Sequence, residues 1–314
     1  MSPTPMTVSV VVVSYNVRNL LAACLESLRD ACRRGEADQV IVVDSASSDG
    51  SPEMVRLRFP EFELLEVPNR GYGAGANAGI ARARGEAILI LNSDTVVQPG
   101  AIQALAEELA ADPRTAIVGP RLVYSDGGPQ PTRRRFPRRW TPVFESTILE
   151  EWFPGNRWVR HYRMTGEPLV DSQEVDWLVG AALMVRRAAI EQAGGFDEGF
   201  WLYGEELEWC YRLRRHGWRV RYVDRATIVH HEGASAGQDQ LHSRLAFDRG
   251  RLRAHQAIHG ARAARAAARL ITLHYAVQLA REALKWALGH RRELRAERVA
   301  RYWTLLRSDL DVDG

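Results

Sequence analysis

The sequence predicts an α/β fold with a mostly parallel central sheet and a helical C-terminal appendage. Three observations carry this. Short β-branched runs alternate with helix-spaced segments through the first 121 residues. Such alternation at short spacing argues for a parallel sheet covered by helices. A chain of 314 residues has room for one large α/β domain and an extension. Beyond about residue 241 the composition turns to Ala, Arg and Leu at helical spacing. The expected division is therefore an α/β domain over 1–240 and a basic helical extension over 241–314.

The elements follow in order. Thr7–Ser14 (TVSVVVVS) is a continuous apolar run, as expected for a strand buried on both faces. Asn19–Arg33 has helical spacing, and Gln39–Asp44 (QVIVVD) is a second strand. Ser51-Pro52 reads as an N-cap followed by proline at the first helical position. Glu63–Val67 is a third strand, Gly75–Arg84 opens a helix, and Ala87–Leu91 is a fourth strand. Gly100–Ala111 is helical and Ala116–Arg121 is again a strand. Ser125–Pro142, with its prolines, glycines and arginines 133, 134, 135, 138 and 139, reads as a loop or mobile segment. An apolar stretch resumes at Val175–Val185. Glu205–Arg215 is a helix, with strands expected at Trp218–Val223 and Thr227–His230. In the tail, Leu270, Leu273, Val277, Ala280, Leu284 and Leu288 share one helix face. No internal repeat is present.

Composition narrows the class. Hydrophobic residues make up 46% and charged residues 26%, ordinary for a globular protein. The three cysteines form no CxxC pair, which favours a reducing compartment. The start lacks the basic region of a signal peptide, and no run approaches the roughly 18 apolar residues of a membrane span. A cytoplasmic protein is expected, peripheral at most at the inner membrane face. The net charge of +3 conceals an asymmetry. Residues 241–314 hold 15 Lys and Arg against 7 Asp and Glu, a balance of +8 that leaves −5 on the rest. A basic tail on an acidic body suggests an anionic membrane surface or another chain, including a homodimer through the C-terminal helices, with a solvated helical face as the plain alternative. A nucleic acid is not expected.

Five features suggest chemistry. Gly71-Tyr72-Gly73-Ala74-Gly75-Ala76 fits the dinucleotide-binding pattern, with Asp94 about 20 residues on. That pattern usually occupies the first βα turn, however, and here two βα units precede it. A glycine-rich turn packed against the sheet serves as well. Asp44 to Gly50 (DSASSDG) stands at a strand's carboxyl end, where open α/β sheets bind ligands, although Asp, Ser and Gly also simply make turns. Leu91-Asn92-Ser93-Asp94 follows a buried strand, so Asp94 is placed to hold a divalent cation on a diphosphate or, more plainly, to cap a turn. Gly194-Gly195-Phe196-Asp197-Glu198 and Glu205-Glu206-Leu207-Glu208 gather carboxylates. One of these can become a base through mutual repulsion, or the group can merely suit a helix start. His230-His231-Glu232 ends a strand with a candidate metal ligand, although a lone histidine is more often structural.

Taken in order through residues 8–235, the set resembles the inverting glycosyltransferases of family 2, in particular their rhamnosyltransferase-like branch. The resemblance rests on Val13-Ser14-Tyr15-Asn16, Asp44…Asp49-Gly50, Asn69-Arg70-Gly71…Asn77-Ala78-Gly79, Leu91-Asn92-Ser93-Asp94, Gly194-Gly195-Phe196-Asp197, Tyr203-Gly204-Glu205-Glu206 and His230…Ser235. It implies a GT-A-type nucleotide-sugar-binding domain and a role in cell-wall or polysaccharide biosynthesis. By that resemblance Ser14, Tyr15, Asn16 and Asp44 contact the base and ribose, and Asn77, Asn92 and Ser93 belong to the donor site. Asp94 and His230 hold a divalent cation, Mg2+ or Mn2+, and Glu206 is the catalytic base. The implied donor is a nucleotide-diphosphate sugar, with dTDP-L-rhamnose ahead of UDP- and GDP-hexoses. The implied acceptor is a hydroxyl of a glycan or lipid-linked glycan. Two departures stand out. Asn92 occupies the first Asp position of the family's DxD motif, and Glu206 replaces a usual Asp, so Glu205 or Glu208 is the alternative base. The rival readings are a non-catalytic nucleotide-sugar-binding relative, disfavoured by carboxylates at both Asp94 and Glu206, and an NAD-dependent dehydrogenase.

Overall fold

The β-branched run at the start forms the expected strand, and its burial on both faces organises the remaining elements. A computed structural model describes residues 6–231, 240–308 and 310. The strands and helices run β1 (Val8–Ser14), α1 (Arg18–Arg33), β2 (Gln39–Asp44), α2 (Ser51–Arg58), β3 (Glu63–Glu66), α3 (Tyr72–Arg82), β4 (Ala87–Asn92), β5 (Thr95–Val97), α4 (Ala101–Ala111) and β6 (Thr115–Val123). They continue as β7 (Pro129–Gln130), β8 (Arg133–Arg134), α5 (Thr141–Phe144), α6 (Ile148–Trp152), α7 (Arg157–Tyr162), β9 (Ser172–Val175), β10 (Trp177–Leu178), β11 (Ala182–Arg186), α8 (Arg187–Ala193), α9 (Glu205–Arg215) and β12 (Arg219–His230). The chain ends in α10 (Gln240–His259), α11 (Ala261–Ala287) and α12 (Arg292–Arg307). Two compact units result. One holds Met1–Phe136, Gly166–Trp201 and Glu205–Gln238; the other holds Pro137–Thr165, Leu202–Gly204 and Asp239–Gly314.

The first unit is built on a sheet in the order β3-β2-β1-β4-β11-β6-β12-β5, with β7 beside β6 and β9 beside β12. The strands β3, β2, β1 and β4 are parallel, as are β6 and β12. β11 runs antiparallel between β4 and β6. All seven residues of β1 are buried. Val10 and Val12 pack with Leu21, Leu25 and Leu28 of α1 and with Ile102 and Leu105 of α4 in one core. Fully burying a valine or leucine side chain contributes about 1.5–3 kcal/mol, so this layer alone outweighs any single polar contact. The opposite face of β1 meets α3, whose glycines let it sit close. A Cβ on Gly79 would overlap Val11, and one on Gly75 would lie 3.1 Å from Val13 Cγ1. The glycine-rich stretch therefore serves helix-on-sheet packing.

Several expectations shift on contact with the structure. α3 starts at Tyr72, three residues before its expected opening. Ser51 is not the N-cap of α2. Gly50 takes that place at φ +81, and Asp49 Oδ1 accepts from Ser51 N at 3.0 Å and Ser51 Oγ at 2.6 Å. The two strands expected over 218–230 are one strand, with a register shift between Val223 and Thr227. The segment expected as loop contains β7 and β8, and arginines 133 and 135 are tied down. Arg133 Nη1 donates to Pro168 O at 3.0 Å, and Arg135 pairs with Glu167 at 3.0 Å.

The second unit packs α10, α11 and α12 around Leu252, Ala267, Ile271, Tyr275, Leu305 and Leu310. Its buried face is partly ionic. Asp248, fully buried, meets Arg251 at 2.6 Å, Arg244 at 3.1 Å and the Tyr275 hydroxyl. Glu282 pairs with Arg295. The short helices share this unit. Burial holds His274 neutral, with its pKa pushed down to about 4, so its Nδ1 accepts from Ile148 N at 3.2 Å. The stripe read from α11 turns outward: Leu273 is 58% exposed, Leu284 61% and Leu288 76%. The buried face is instead Ala264, Ala267, Ile271, Tyr275, Gln278 and Glu282. Side-chain periodicity finds an apolar face, but buried ion pairs chose the other one.

Candidate active site

The parallel register brings three strand ends together. Ser14 of β1 lies opposite Asp44 of β2, and Val13 lies opposite Asn92 of β4. Ser14 Oγ, Asp44 Oδ1 and Asn92 Oδ1 are buried and make no hydrogen bond. Leaving a buried polar atom unpaired costs about 1–3 kcal/mol. Three at one sheet edge describe a cradle awaiting polar partners, at the edge where open α/β sheets bind ligands.

Two loops frame this edge. Asp44 Oδ2 accepts from Ser47 N at 2.8 Å, which shapes the turn after β2. Asn16, at φ +52, accepts from Ser48 N at 2.7 Å through Oδ1 and donates its own N to Ser47 Oγ at 2.9 Å. Asn16 thus joins the loops after β1 and β2. Its neighbour Tyr15 is 40% exposed, leaving its ring available at the surface.

Ser93 and Asp94 form the tight turn between β4 and β5, held by Thr95 Oγ1 donating to Asn92 O at 2.8 Å. Because β5 pairs antiparallel with β12, Thr95 faces His230 and Asp94 arrives beside that histidine. Asp94 Oδ1 lies 3.3 Å from His230 Nε2, and both residues are buried. His230 Nδ1 is 2.9 Å from Gln130 Oε1. His231 contributes its backbone, donating N–H to Asp94 O at 2.8 Å. Gly233 and Ser235, which complete the expected histidine motif, lie outside the described residues, as does Glu232.

With Gln130 Oε1 against Nδ1, Nε2 is the ring nitrogen left to face the Asp94 carboxylate. A ring nitrogen and a carboxylate oxygen are both donors that divalent ions take, so these residues fit such an ion. Among the described residues no cluster of three or more His, Cys, Asp or Glu side chains forms. A cation here would draw its other ligands from Asn92 or from a bound diphosphate.

The first turn of α9 carries the glutamates, and the structure separates them. Glu205 is buried, and burial followed by the charge of Glu206 raises its pKa well above the ordinary value, so it stands as a neutral acid. Glu208 is committed to Arg212, with contacts of 2.9 and 3.0 Å. Glu206 is half-buried, with its Cβ, Cγ and Cδ facing Gly180. Tyr72 links this acid to the strand edge. Its hydroxyl reaches Gly180 O at 3.5 Å, and its pKa is raised by burial first and then by nearby acidic groups, Glu206 and Asp94 among them.

The sequence profile of "Glycosyl transferase family 2" matches residues 9–193. The chain is 34% identical over 243 residues to the N-acetylglucosaminyl-diphospho-decaprenol L-rhamnosyltransferase of Mycobacterium tuberculosis (strain ATCC 25618 / H37Rv), covering 73% of this chain and 78% of that protein. This protein belongs to glycosyltransferase family 2. The pre-mycofactocin glycosyltransferase of the same organism is 29% identical, over 73% of this chain and 43% of its own length. A mannosyltransferase from Pyrobaculum calidifontis, solved with GDP-Man and Mn2+, matches 97% of this chain and 88% of its own at TM-score 0.54 and 18% identity. GalNAc-T7, solved with UDP, GalNAc and Mn2+, matches 72% of this chain and 43% of its own at TM-score 0.56 and 17% identity. The fold of this family 2 transferase is therefore of GT-A type.

Within this glycosyltransferase the expected residues fall into two groups. Ser14, Tyr15, Asn16, Asp44, Asn92, Ser93, Asp94 and His230 lie on the strand ends and their loops. Asn77 points elsewhere: its Nδ2 donates to Phe196 O at 2.9 Å and Glu198 Oε1 at 3.1 Å, and its Oδ1 accepts from Phe196 N at 2.9 Å. It fastens α3 to the Gly194–Glu198 turn. Sequence reasoning missed Gln130 and the linking position of Tyr72. A signal for Gln130 existed. Ser125-Asp126-Gly127-Gly128 has hairpin-turn chemistry, and Asp126 Oδ1 accepts from Gly128 N at 2.8 Å. That turn returns β7 onto β6, with Gln130 opposite Leu122.

Proposed function

We propose that this protein transfers a sugar, L-rhamnose from dTDP-L-rhamnose ahead of a hexose from UDP or GDP, to a hydroxyl of a glycan or lipid-linked glycan. The observation that carries the reading is the Asp94–His230 pair beside the open strand-end cradle, with Asp94 and Glu206 both acting through their charge on the buried Tyr72. The similar mycobacterial rhamnosyltransferase, whose name specifies a lipid-linked N-acetylglucosamine acceptor, supports the choice of donor and acceptor class.

In this reading Ser14, Asp44 and Asn92 supply the polar partners that a nucleotide and its ribose need. Glu206 accepts the proton of the acceptor hydroxyl as that oxygen bonds to the anomeric carbon from the face opposite the diphosphate. The bond from that carbon to the diphosphate oxygen breaks with its electron pair leaving on the diphosphate, and the configuration inverts. Asp94 and His230 would hold a divalent cation, Mg2+ or Mn2+, whose charge would offset that gathering on the departing group. Glu205, kept neutral, does not compete for the proton.

A panel of dTDP-L-rhamnose, UDP-hexoses and GDP-hexoses with Mn2+, with and without lipid-linked glycan, tests the proposal through released nucleoside diphosphate and the product's anomeric configuration. Release that requires metal and rises with acceptor supports it. A retained configuration removes the inverting mechanism, and silence with every donor removes the activity.

We assign catalysis to residues 1–240 and attachment to 241–314, as a peripheral protein on the cytoplasmic membrane face. The supporting feature is the outward face of α11, with Leu273, Val277, Leu284 and Leu288 exposed, Trp286 and Trp303 exposed nearby, and a tail charge of +8. Basic side chains near anionic lipid contribute about 1 kcal/mol each, while apolar burial supplies the rest. Among the described residues no helix is long and apolar enough to cross a membrane. Flotation with anionic and neutral vesicles at low and high salt reads the attachment. No binding to anionic vesicles at low salt overturns it, and a dimer in light scattering would assign this face to a second copy instead.

A further inference from the structure

We propose that Gln130 is a positioning residue that fixes His230 in its Nδ1–H tautomer and so presents the Nε2 lone pair to the cation site. The inference rests on the divalent-cation reading above and adds to it a residue remote from the strand-end motifs.

Three observations converge on it. Gln130 is 8% exposed and His230 6%, so neither side chain has ready access to bulk water as a substitute partner. The amide oxygen of Gln130 stands 2.9 Å from His230 Nδ1, and an amide oxygen can only accept. The ring nitrogen must therefore carry the proton. The second ring nitrogen, 3.3 Å from Asp94 Oδ1, is then the one whose lone pair a cation would take. Flipping the ring would bring carbons to both of these positions and lose both contacts.

The backbone explains why the arrangement is stable. β7 is held to β6 by the pairs Leu122–Gln130 and Val123–Pro129, and β6 pairs with β12, whose last residue is His230. The glutamine, the histidine and, through β5, the aspartate are thus mounted on neighbouring strands of one sheet. An imidazole that binds a metal commonly donates its other N–H to a fixed acceptor, which sets ring orientation and basicity. Gln130 supplies that acceptor without adding negative charge, in a site whose first DxD position is already the neutral Asn92.

The test uses the full chain, with Gln130→Leu to remove the acceptor and Gln130→Glu to keep one. Two readouts are independent of turnover: long-range 1H–15N correlation on 15N-histidine-labelled protein, assigned with His230→Ala, and Mn2+ binding with dTDP or UDP, followed by EPR of free Mn2+. In the wild type His230 should show the Nδ1–H form. Gln130→Leu should lose that preference and weaken Mn2+–nucleotide binding by about 10- to 100-fold, the usual size for losing such a partner. Gln130→Glu should restore both. A wild-type His230 in the Nε2–H form overturns the proposal even if a variant fails to fold, as does a Gln130→Leu protein unchanged in tautomer and in Mn2+ binding. If His230→Ala also binds Mn2+ normally, the cation reading itself falls, and the tautomer signal tells the two failures apart.

Discussion

Replacing each of the three glutamates of α9 by its isosteric amide, one at a time, asks which carboxylate is the base. Glu206→Gln keeps shape and removes basicity. Loss of a general base costs about 100- to 10,000-fold in turnover. At about 1.36 kcal/mol per decade this is roughly 2.7 to 5.4 kcal/mol of transition-state stabilisation. Donor binding should hardly move, because the base acts on the acceptor. Glu205→Gln should behave differently. Its carboxyl is buried and already neutral, so an amide is close to what the native state holds. Turnover should stay within about threefold, since no charged partner of the reaction is removed. Glu208→Gln removes the charge and one of the two acceptors that face Arg212, whose Nη2 also donates to Gly195 O at 2.7 Å. Its cost should appear first as a lower melting temperature, corresponding to about 1.5–3 kcal/mol for hydrogen bonds to a charged group. The assay is steady-state release of nucleoside diphosphate at saturating donor and metal, with melting curves for each variant. A 100-fold loss in Glu205→Gln beside a nearly normal Glu206→Gln would refute the reasoning from burial.

Asp94→Asn should abolish metal-dependent donor turnover with an unchanged fold; a melting temperature lower by many degrees would instead mark Asp94 as a turn-capping residue. His230→Ala should weaken binding of nucleoside diphosphate with Mn2+ more than His231→Ala, because only His230 brings its ring to Asp94; calorimetry showing equal losses would contradict this. The raised pKa of Glu205 also sets a pH trend. The native state holds a proton that the unfolded chain gives up above about pH 4.5, so stability is full below that value and falls as pH rises toward the folded pKa. Glu205→Gln lacks that decline, and its melting temperature should gain on the wild type as pH rises above about 4.5; parallel curves would count against a neutral Glu205.

Much of the parallel half was legible because β1, β2 and β4 are buried on both faces and read as unbroken apolar runs. The strand ends were legible for the same reason: Ser14, Asp44 and Asn92 are where those runs stop. Less was readable where pairing is long-range. Nothing in the spacing of Asp94 and His230 announces their contact, which comes from β5 lying antiparallel on β12; only the family resemblance anticipated the pair. Gln130 was hidden in a segment whose prolines and arginines suggested mobility, although the turn at 125–128 was readable. In α11 the apolar count pointed to Leu273, Leu284 and Leu288, yet those residues face outward. The buried side is closed by Glu282 with Arg295, and by Tyr275 with Asp248, partners that no single-helix pattern contains.

The register shift of β12 between Val223 and Thr227 has a consequence for how this protein can vary. Side chains alternate along a strand, so adding or losing one residue inverts everything downstream. Asp224 N donates to Asp171 O at 2.7 Å, and Arg225 pairs with Asp171 at 3.2 Å, so the irregular segment is pinned from the side. It works as a phase-setter for the four-residue arm, Thr227 to His230, that ends in the histidine. Residues 224–226 should accept changes of identity more readily than changes of number. Deleting one would let the sheet assemble with His230 either displaced from Thr95 or turned to the wrong face, a folded protein that has lost its site by arithmetic alone.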